Sequence, residues 1–216
     1  MLVFGLDPRF PIGHKGMGRR SDHSRDEIRD MAVSAAAKIV EKVGYQSLTA
    51  RKVASEIGYT VGTLYHVFHN FDDLVMHVNA QTIDEMAALI QRHIRKKRNP
   101  EVRIRTMAEY YVQYATDHPD RWRLVFEHEP PRSLATPARL KERRDVMFEM
   151  VADNLRELSP ESVSHEVEHT ATALWSGIHG ICILALTGKL YLGGAFSMVK
   201  LIDTLIDSVI NEFRRV

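Results

Sequence analysis

The residues His165-Glu166-Val167-Glu168-His169 spell H-E-x-x-H. On a helix this spacing puts two imidazoles on one face, where they could hold zinc while Glu166 serves as the base for a metal-bound water. The surroundings argue the other way. Glu161, Ser162, Ser164 and Glu168 make the neighbourhood polar, no third ligand is evident, and a chain with 11 histidines meets so short a pattern by chance. A zinc-dependent hydrolase therefore stays as an alternative, with adventitious metal binding by His165 and His169 beside it, and no metal ligand or catalytic residue is assigned. There is no G-x-S-x-G elbow, no phosphate-cradling glycine loop and no nucleophile beside a base, so no cofactor is expected and an enzyme is not. Cys182 sits among apolar and small residues, which suits an inert core thiol better than a redox sensor.

Charge and composition narrow the remaining classes. Lys plus Arg number 29 against 28 Asp plus Glu, so any binding of nucleic acid must come from local placement of charge. The single Cys182 excludes an internal disulfide and a cysteine-based zinc finger, and fits a reducing, cytoplasmic setting. The longest apolar run, Ile181 to Leu186, is far short of the roughly 20 residues that span a bilayer, and no membrane partner is expected. Residues 1–23 are rich in Gly, Pro and Arg and do not read as a secretion signal. They are expected to be a flexible leader, either without a role or with Lys15, Arg19 and Arg20 as a basic arm.

The elements that must position any site are helices. From Arg25 onward apolar residues recur at spacings of three and four, as in the stripe Ile28, Met31, Ala32, Ala35, Ile39 and Val43 that ends at Gly44. Thr49 caps a short helix through Ile57, Gly58 breaks it, and Thr60 caps another through Phe68. A small residue that lets two helices cross, a glycine turn and branched residues that seal the wedge make a helix-turn-helix. Val53, Ala54, Ile57, Gly58, Leu64 and Val67 occupy those places.

The run from Ile28 to Val78 resembles, almost position for position, the DNA-binding domain of the TetR (tetracycline-repressor-like) family of bacterial transcription regulators. The marks are the Ala-rich first helix, Gly44-Tyr45 with Thr49, the pairs Val53-Ala54 and Ile57-Gly58, and Gly62-Thr63-Leu64-Tyr65 followed by Phe68 and Leu74. The resemblance implies an all-α fold: a three-helix head, residues 24–70, on a larger helical ligand-binding and dimerisation body, residues 71–216. It also implies a ligand-responsive regulator, most simply a repressor, that binds a palindromic double-stranded DNA operator as a homodimer. A helical protein-interaction module without specific DNA binding is the other alternative.

The helix beginning near Val61 would then enter the major groove by its N-terminal end, where free amides and short side chains lie. Val61 and Gly62 come nearest the base edges. Thr60, Thr63, Tyr65 and His66 reach phosphates or bases, and Thr49 holds another phosphate at the preceding helix start. The family commonly places a phosphate-gripping Lys at the next helix start, where this chain has Phe71 followed by Asp72 and Asp73. That acidic pair suits a helix N-terminus but repels DNA, leaving Arg25, Arg51, Lys52 or His69 to compensate. The basic end of that helix, Arg92, Arg95, Lys96, Lys97 and Arg98, lies about 30 Å from the head and reads as a solvated cap.

Beyond Pro100 longer helices are expected over 101–117, 120–128, 137–158, 162–187 and 198–215. Aromatic, methionine and hydroxyl-bearing residues gather there, as core or as the wall of a pocket for an unidentified, largely apolar small molecule. Tyr110, Tyr114, Trp122, Phe126, Met147, Trp175 and His179 are the ligand candidates. Trp175 to Gly180 resembles the Trp-His-Gly signature of one C-terminal subclass of the family. Glycines inside a helix each cost about 1 kcal/mol against alanine, so Gly177 and Gly180 ask for a close approach by a helix or ligand. The last helix is apolar along Ile202, Ile206, Val209 and Phe213, which with Ala173 and Gly177 are the expected dimer contacts.

Overall fold

The computed structural model describes residues 23–131, 138–190 and 197–215, and the arm suggested at Lys15, Arg19 and Arg20 lies outside them. Among the described residues the chain is helical and has no strand, as the periodicity predicts. The helices are α1 (Arg25–Val43), α2 (Ala50–Glu56), α3 (Val61–Val67), α4 (Phe71–Ile94), α5 (Pro100–Asp117), α6 (Pro119–Glu127), α7 (Ala138–Leu158), α8 (Ser164–Leu186) and α9 (Met198–Phe213).

Their ends follow from local chemistry. Ser24 accepts from the Glu27 amide at 3.2 Å while its own amide donates to the Glu27 carboxylate at 2.6 Å, a capping box that starts α1. Asn70 accepts from the Asp73 amide at 2.8 Å and so starts α4 at Phe71. Pro100 and Pro119 each occupy a first helical position, where no amide is missed.

Two apolar clusters organise the chain. The first joins Ala32 and Val40 of α1 to Val53, Leu64, Val67 and Phe68, and it takes in Leu74 and Val78 of α4 and Leu124 of α6. The second holds Met86 and Ile90 of α4 with Ile104, Tyr111, Trp122, Leu155, Leu174, Ile178 and Ile206. Helix α4, 24 residues and so about 36 Å long, is a beam that serves the first cluster with its early turns and the second with its later ones. Ion pairs from Arg103 to Glu157 and from Arg105 to Asp207 tie α5 to α7 and α9 across the surface.

Helices α8 and α9 pack tightly inside one chain. A Cβ on Gly177 would lie 2.5 Å from Leu205 Cδ2, so the close approach that this glycine predicts is made by α9 of the same chain. Gly180, expected to mark a close approach as well, has nothing within 4 Å of such a Cβ among the described residues. By length and composition α8 is apolar enough to cross a membrane, since its best window has a mean hydropathy of 1.2. It nevertheless contributes Val167, Ala171, Leu174, Ile178 and Cys182 to the second cluster. Only 22% of that window is buried within the chain, which leaves a broad outer face on a helix of high apolarity.

Candidate nucleic-acid interface and ligand cavity

The turn between α2 and α3 is built by one glycine. Gly58 has φ of +75°, and the Tyr59 amide reaches back to the Ala54 carbonyl at 2.9 Å, a left-handed helix stop that a side chain would strain. Thr49 starts α2 by accepting from the Lys52 amide at 3.3 Å, and Thr60 starts α3 by accepting from the Thr63 amide at 3.2 Å. Val53, Ala54, Leu64 and Val67 are buried between these helices and α1. The motif is therefore rigid on its inner side, and every remaining polar group of α3 is pushed outward.

That outer side holds the residues marked by the sequence. Tyr65 is 48% exposed, His66 is exposed, and neither has a hydrogen-bond partner among the described residues. Val61 is half-buried against the first cluster, while Thr63 is half-buried and lies 3.0 Å from the Thr60 hydroxyl. Gly62 is exposed, and a Cβ there would meet only Thr60 Oγ1, at an ordinary 3.6 Å. Nothing among the described residues requires glycine at 62; a partner that comes close to the backbone would. Thr49, Arg51 and Lys52 are exposed on α2, with the Lys52 ammonium on the Ser47 carbonyl at 2.8 Å.

The acidic pair after Phe71 is engaged within the fold. The Asp73 carboxylate accepts from the His69 amide at 2.9 Å, and Asp72 lies 3.0 Å from His128 Nε2. Phe71 itself packs partly on the first cluster. These contacts turn the two charges away from a free role at the helix start. Arg92, Arg95, Lys96, Lys97 and Arg98 are all exposed at the far end of α4.

In the body, a cavity of about 390 Å³ lies between α4, α5, α6, α7 and α8. Phe126, Met147, Phe148 and Trp175 form much of its wall. An inner chamber of about 60 Å³ shares Tyr111, Met147, Phe148 and Trp175 with it and is otherwise lined by aliphatic residues such as Ile90, Leu174 and Ile178. Beside these walls His179 stacks on Trp175 at 5.1 Å, meets Phe126 edge-on at 4.3 Å, and has Trp122 at 4.9 Å. Its Nδ1 lies 2.8 Å from the Tyr111 hydroxyl. Burial lowers the His179 pKa and raises that of Tyr111, so the ring is neutral and the phenol protonated. A neutral ring carries one proton, and the Tyr111 hydroxyl and Nδ1 share a hydrogen bond whose direction follows the tautomer. Trp122 Nε1 is buried with no acceptor among the described residues. Burial also pushes the Cys182 thiol up to about 12, which leaves it unreactive.

Of the ligand candidates, Phe126, Met147 and Trp175 line this cavity, Trp122 and His179 pack behind them without lining it, and two other aromatic residues lie elsewhere. Tyr110 stacks on His93 at 3.6 Å, and Tyr114 reaches Glu85 at 3.3 Å beside His118. Tyr114 belongs to the junction between the two clusters. There Arg121, with its side chain 5% exposed, lies 2.5 Å from Glu85 and 3.4 Å from Glu41 of α1, and donates to the Thr82 hydroxyl at 3.1 Å. Tyr45 adds a hydrogen bond to Glu127. Helix α6 thus faces both ways, with Arg121, Leu124 and Glu127 on the head and Trp122, Val125 and Phe126 in the body. Sequence reasoning did not mark Arg121 or Tyr111 as site residues. The only available signal was a charged residue set within an otherwise apolar face of α6.

Of the six expected dimer contacts, Ile202, Ile206 and Phe213 are buried inside the single chain, Gly177 faces Leu205, Val209 is half-buried and Ala173 is exposed. A surface groove between α8 and α9 is lined by His165, His169, Thr170, Ala173 and Val209. Glu166 is turned back to accept from the Val163 amide at 3.3 Å, which is capping chemistry. Among the described residues no group of three or more His, Cys, Asp or Glu is placed to hold a metal ion.

Comparison with known proteins agrees with this geometry. Residues 32–78 match the family model of bacterial regulatory proteins of the tetR family, and residues 104–209 match the tetracyclin repressor-like C-terminal domain. The uncharacterized HTH-type transcriptional regulator Rv0681 of Mycobacterium tuberculosis is 26% identical over 189 residues, which cover 85% of this chain and 80% of that protein. A protein of unknown function from Rhodococcus sp. RHA1 superposes with a TM-score of 0.70 at 18% identity, covering 90% of this chain and 98% of that one. RolR, solved with resorcinol, superposes with a TM-score of 0.66 at 11% identity, covering 88% and 93%.

Proposed function

The chain belongs to the TetR family of bacterial transcriptional regulators, and from that premise we propose that it is a repressor that holds a palindromic operator as a homodimer and releases it when a small, largely apolar effector enters the body. The observation that carries this reading is the two-faced helix α6. Arg121 and Glu127 hold the head through Glu41 and Tyr45, while Phe126, on the other side of the same helix, walls the cavity. A molecule wedged against Phe126 and Trp175 acts on α6, and α6 carries Glu41 of α1 with it. Release requires that the effector bind more tightly to the conformation whose two α3 helices no longer match successive major grooves.

The proposed DNA contacts are Thr49, Thr60, Val61, Gly62, Thr63, Tyr65 and His66. The exposed, unpartnered state of Tyr65 and His66 supports them, as does the absence of an internal reason for Gly62. The proposed dimer seam is the outer face of α8 and α9 around Ala173 and Val209, which a second copy would cover. Cytoplasmic action follows from the same reading. Resorcinol in RolR is a small aromatic ligand in a related fold, and a molecule of that size suits a cavity of about 390 Å³.

The test begins by selecting a binding site for the full chain from random duplex DNA, then titrating small aromatic and aliphatic compounds against the complex. A palindromic site, two chains per site and at least one compound that releases the DNA are expected. Selection of no common sequence would contradict the reading.

A further inference from the structure

The side chains around the cavity carry information about the charge of its occupant, an inference that rests on the effector reading above. We propose that the effector is an anion, a monocarboxylate on an aryl or medium-chain apolar body, and that Arg144 receives its carboxylate.

The wall contains no acidic side chain, and its polar members are Tyr111, His128 and Arg144. Two of these are engaged. The Tyr111 hydroxyl is hydrogen-bonded to His179 Nδ1, and His128 Nε2 lies 3.0 Å from the Asp72 carboxylate. Arg144 is different: among the described residues it has no hydrogen bond and no ion pair. The other described arginine side chains of α5, α6 and α7 are all ion-paired: Arg103, Arg105, Arg121, Arg123 and Arg156, and Arg143, the next residue back, which holds Asp84 at 2.6 Å.

A guanidinium at the edge of an otherwise apolar cavity selects by charge. It offers parallel donors that match a carboxylate, and Arg144 is exposed at the rim, where it can meet an incoming anion whose apolar body packs on Phe126, Met147 and Trp175. A cation finds no carboxylate among the lining residues, and the Asp72 carboxylate that meets the wall's His128 is already engaged there. The depth of the cavity sets the rest of the ligand. Met147, Phe148 and Trp175 are shared with the inner chamber, so an apolar body can extend inward while its charged end stays at the rim.

The experiment titrates the full chain, by calorimetry and by quenching of its 2 tryptophans, with phenylacetate, 4-phenylbutyrate and octanoate, each against its uncharged primary amide. At least one carboxylate is expected to bind about tenfold more tightly than its amide. Arg144→Gln should erase that preference while leaving the affinity for the amide unchanged, and Arg143→Gln should keep it. Equal or tighter binding of the amides, a preference that survives Arg144→Gln, or no binding by any carboxylate would each overturn the proposal. A carboxylate that binds with the expected preference but leaves DNA affinity unaltered would uphold the anion assignment and contradict effector-driven release, so the two failures are distinct.

Discussion

Arg121 and Trp122 are adjacent on α6, yet their side chains belong to different halves of the protein. The guanidinium lies between Glu85 and Glu41 at the base of the head, and the indole packs 4.9 Å from His179 in the aromatic cluster of the body. Successive residues on a helix are rotated by about 100°, so a single rotation of α6 displaces both groups together. The pair places neighbouring positions of one helix in contact with the head and with the body's apolar cluster, which is the link that the proposed release mechanism uses.

Replacing Arg121 with Met keeps the stem but removes the charge that Glu41, Glu85 and Thr82 share. Breaking a fully buried pair costs about 3–5 kcal/mol, but Glu41 and Glu85 are 40% and 39% exposed and can recover water. A loss of about 2 kcal/mol is expected, read as a lower urea midpoint. The variant should still bind operator and should respond weakly to effector. Full response with unchanged stability would show that the junction transmits nothing.

Tyr65→Ala should weaken operator binding about tenfold without dissociating the dimer, because the side chain is 48% exposed and has no hydrogen-bond partner among the described residues. Gly62→Ala should act similarly on DNA while leaving the fold as stable as before or more so by up to about 1 kcal/mol. Parallel melting curves and binding isotherms check both. Unimpaired DNA binding by both variants would remove α3 from the interface.

The lowered pKa of His179 makes stability depend on pH. Burial depresses its folded value below the unfolded value of about 6.5, so the unfolded chain takes up the proton first as pH falls. The contribution is complete above about pH 6.5 and is lost as pH falls through the window down to the lowered folded value. Denaturant titrations of the wild type and His179→Gln at pH 7.5 and 5.5 should show a smaller loss in the variant. Equal losses would mean that His179 is not held neutral.

On the outer face of α8, Ala173 and Leu184 are exposed, Leu184 by 43%. The double substitution Ala173→Glu and Leu184→Glu should give a folded monomer by sedimentation and abolish tight operator binding, because each head alone reads only half a palindrome. A dimer that survives would place the seam elsewhere.

The helical fold and the helix-turn-helix were legible because their signals are local. Gly58 has to be left-handed, and Thr49 and Thr60 cap the helices that follow them within three residues. The start of α4 at Phe71 came from the family resemblance, and the structure adds Asn70 as its cap. What sequence could not supply was phase between distant helices. Tyr110 and Tyr111 are neighbours of like chemistry on α5, and only packing sends one to His93 and the other to His179. The contact between Glu41 and Arg121 joins residues 80 apart, with no pattern that announces it. Gly177 signalled a close approach correctly, but only the structure names Leu205 as what approaches.

The central claim is that a dimer of this chain reads a specific palindrome through α3, and a binding titration on the selected duplex tests it most directly. Wild type and Tyr65→Ala would be titrated at two salt concentrations, with scrambled duplex of equal length as competitor. The account predicts one discrete complex of two chains per site, resistant to scrambled competitor, steeply weakened by salt, and about tenfold weaker for the variant. Equal displacement by scrambled DNA, with no difference between wild type and Tyr65→Ala, would contradict it.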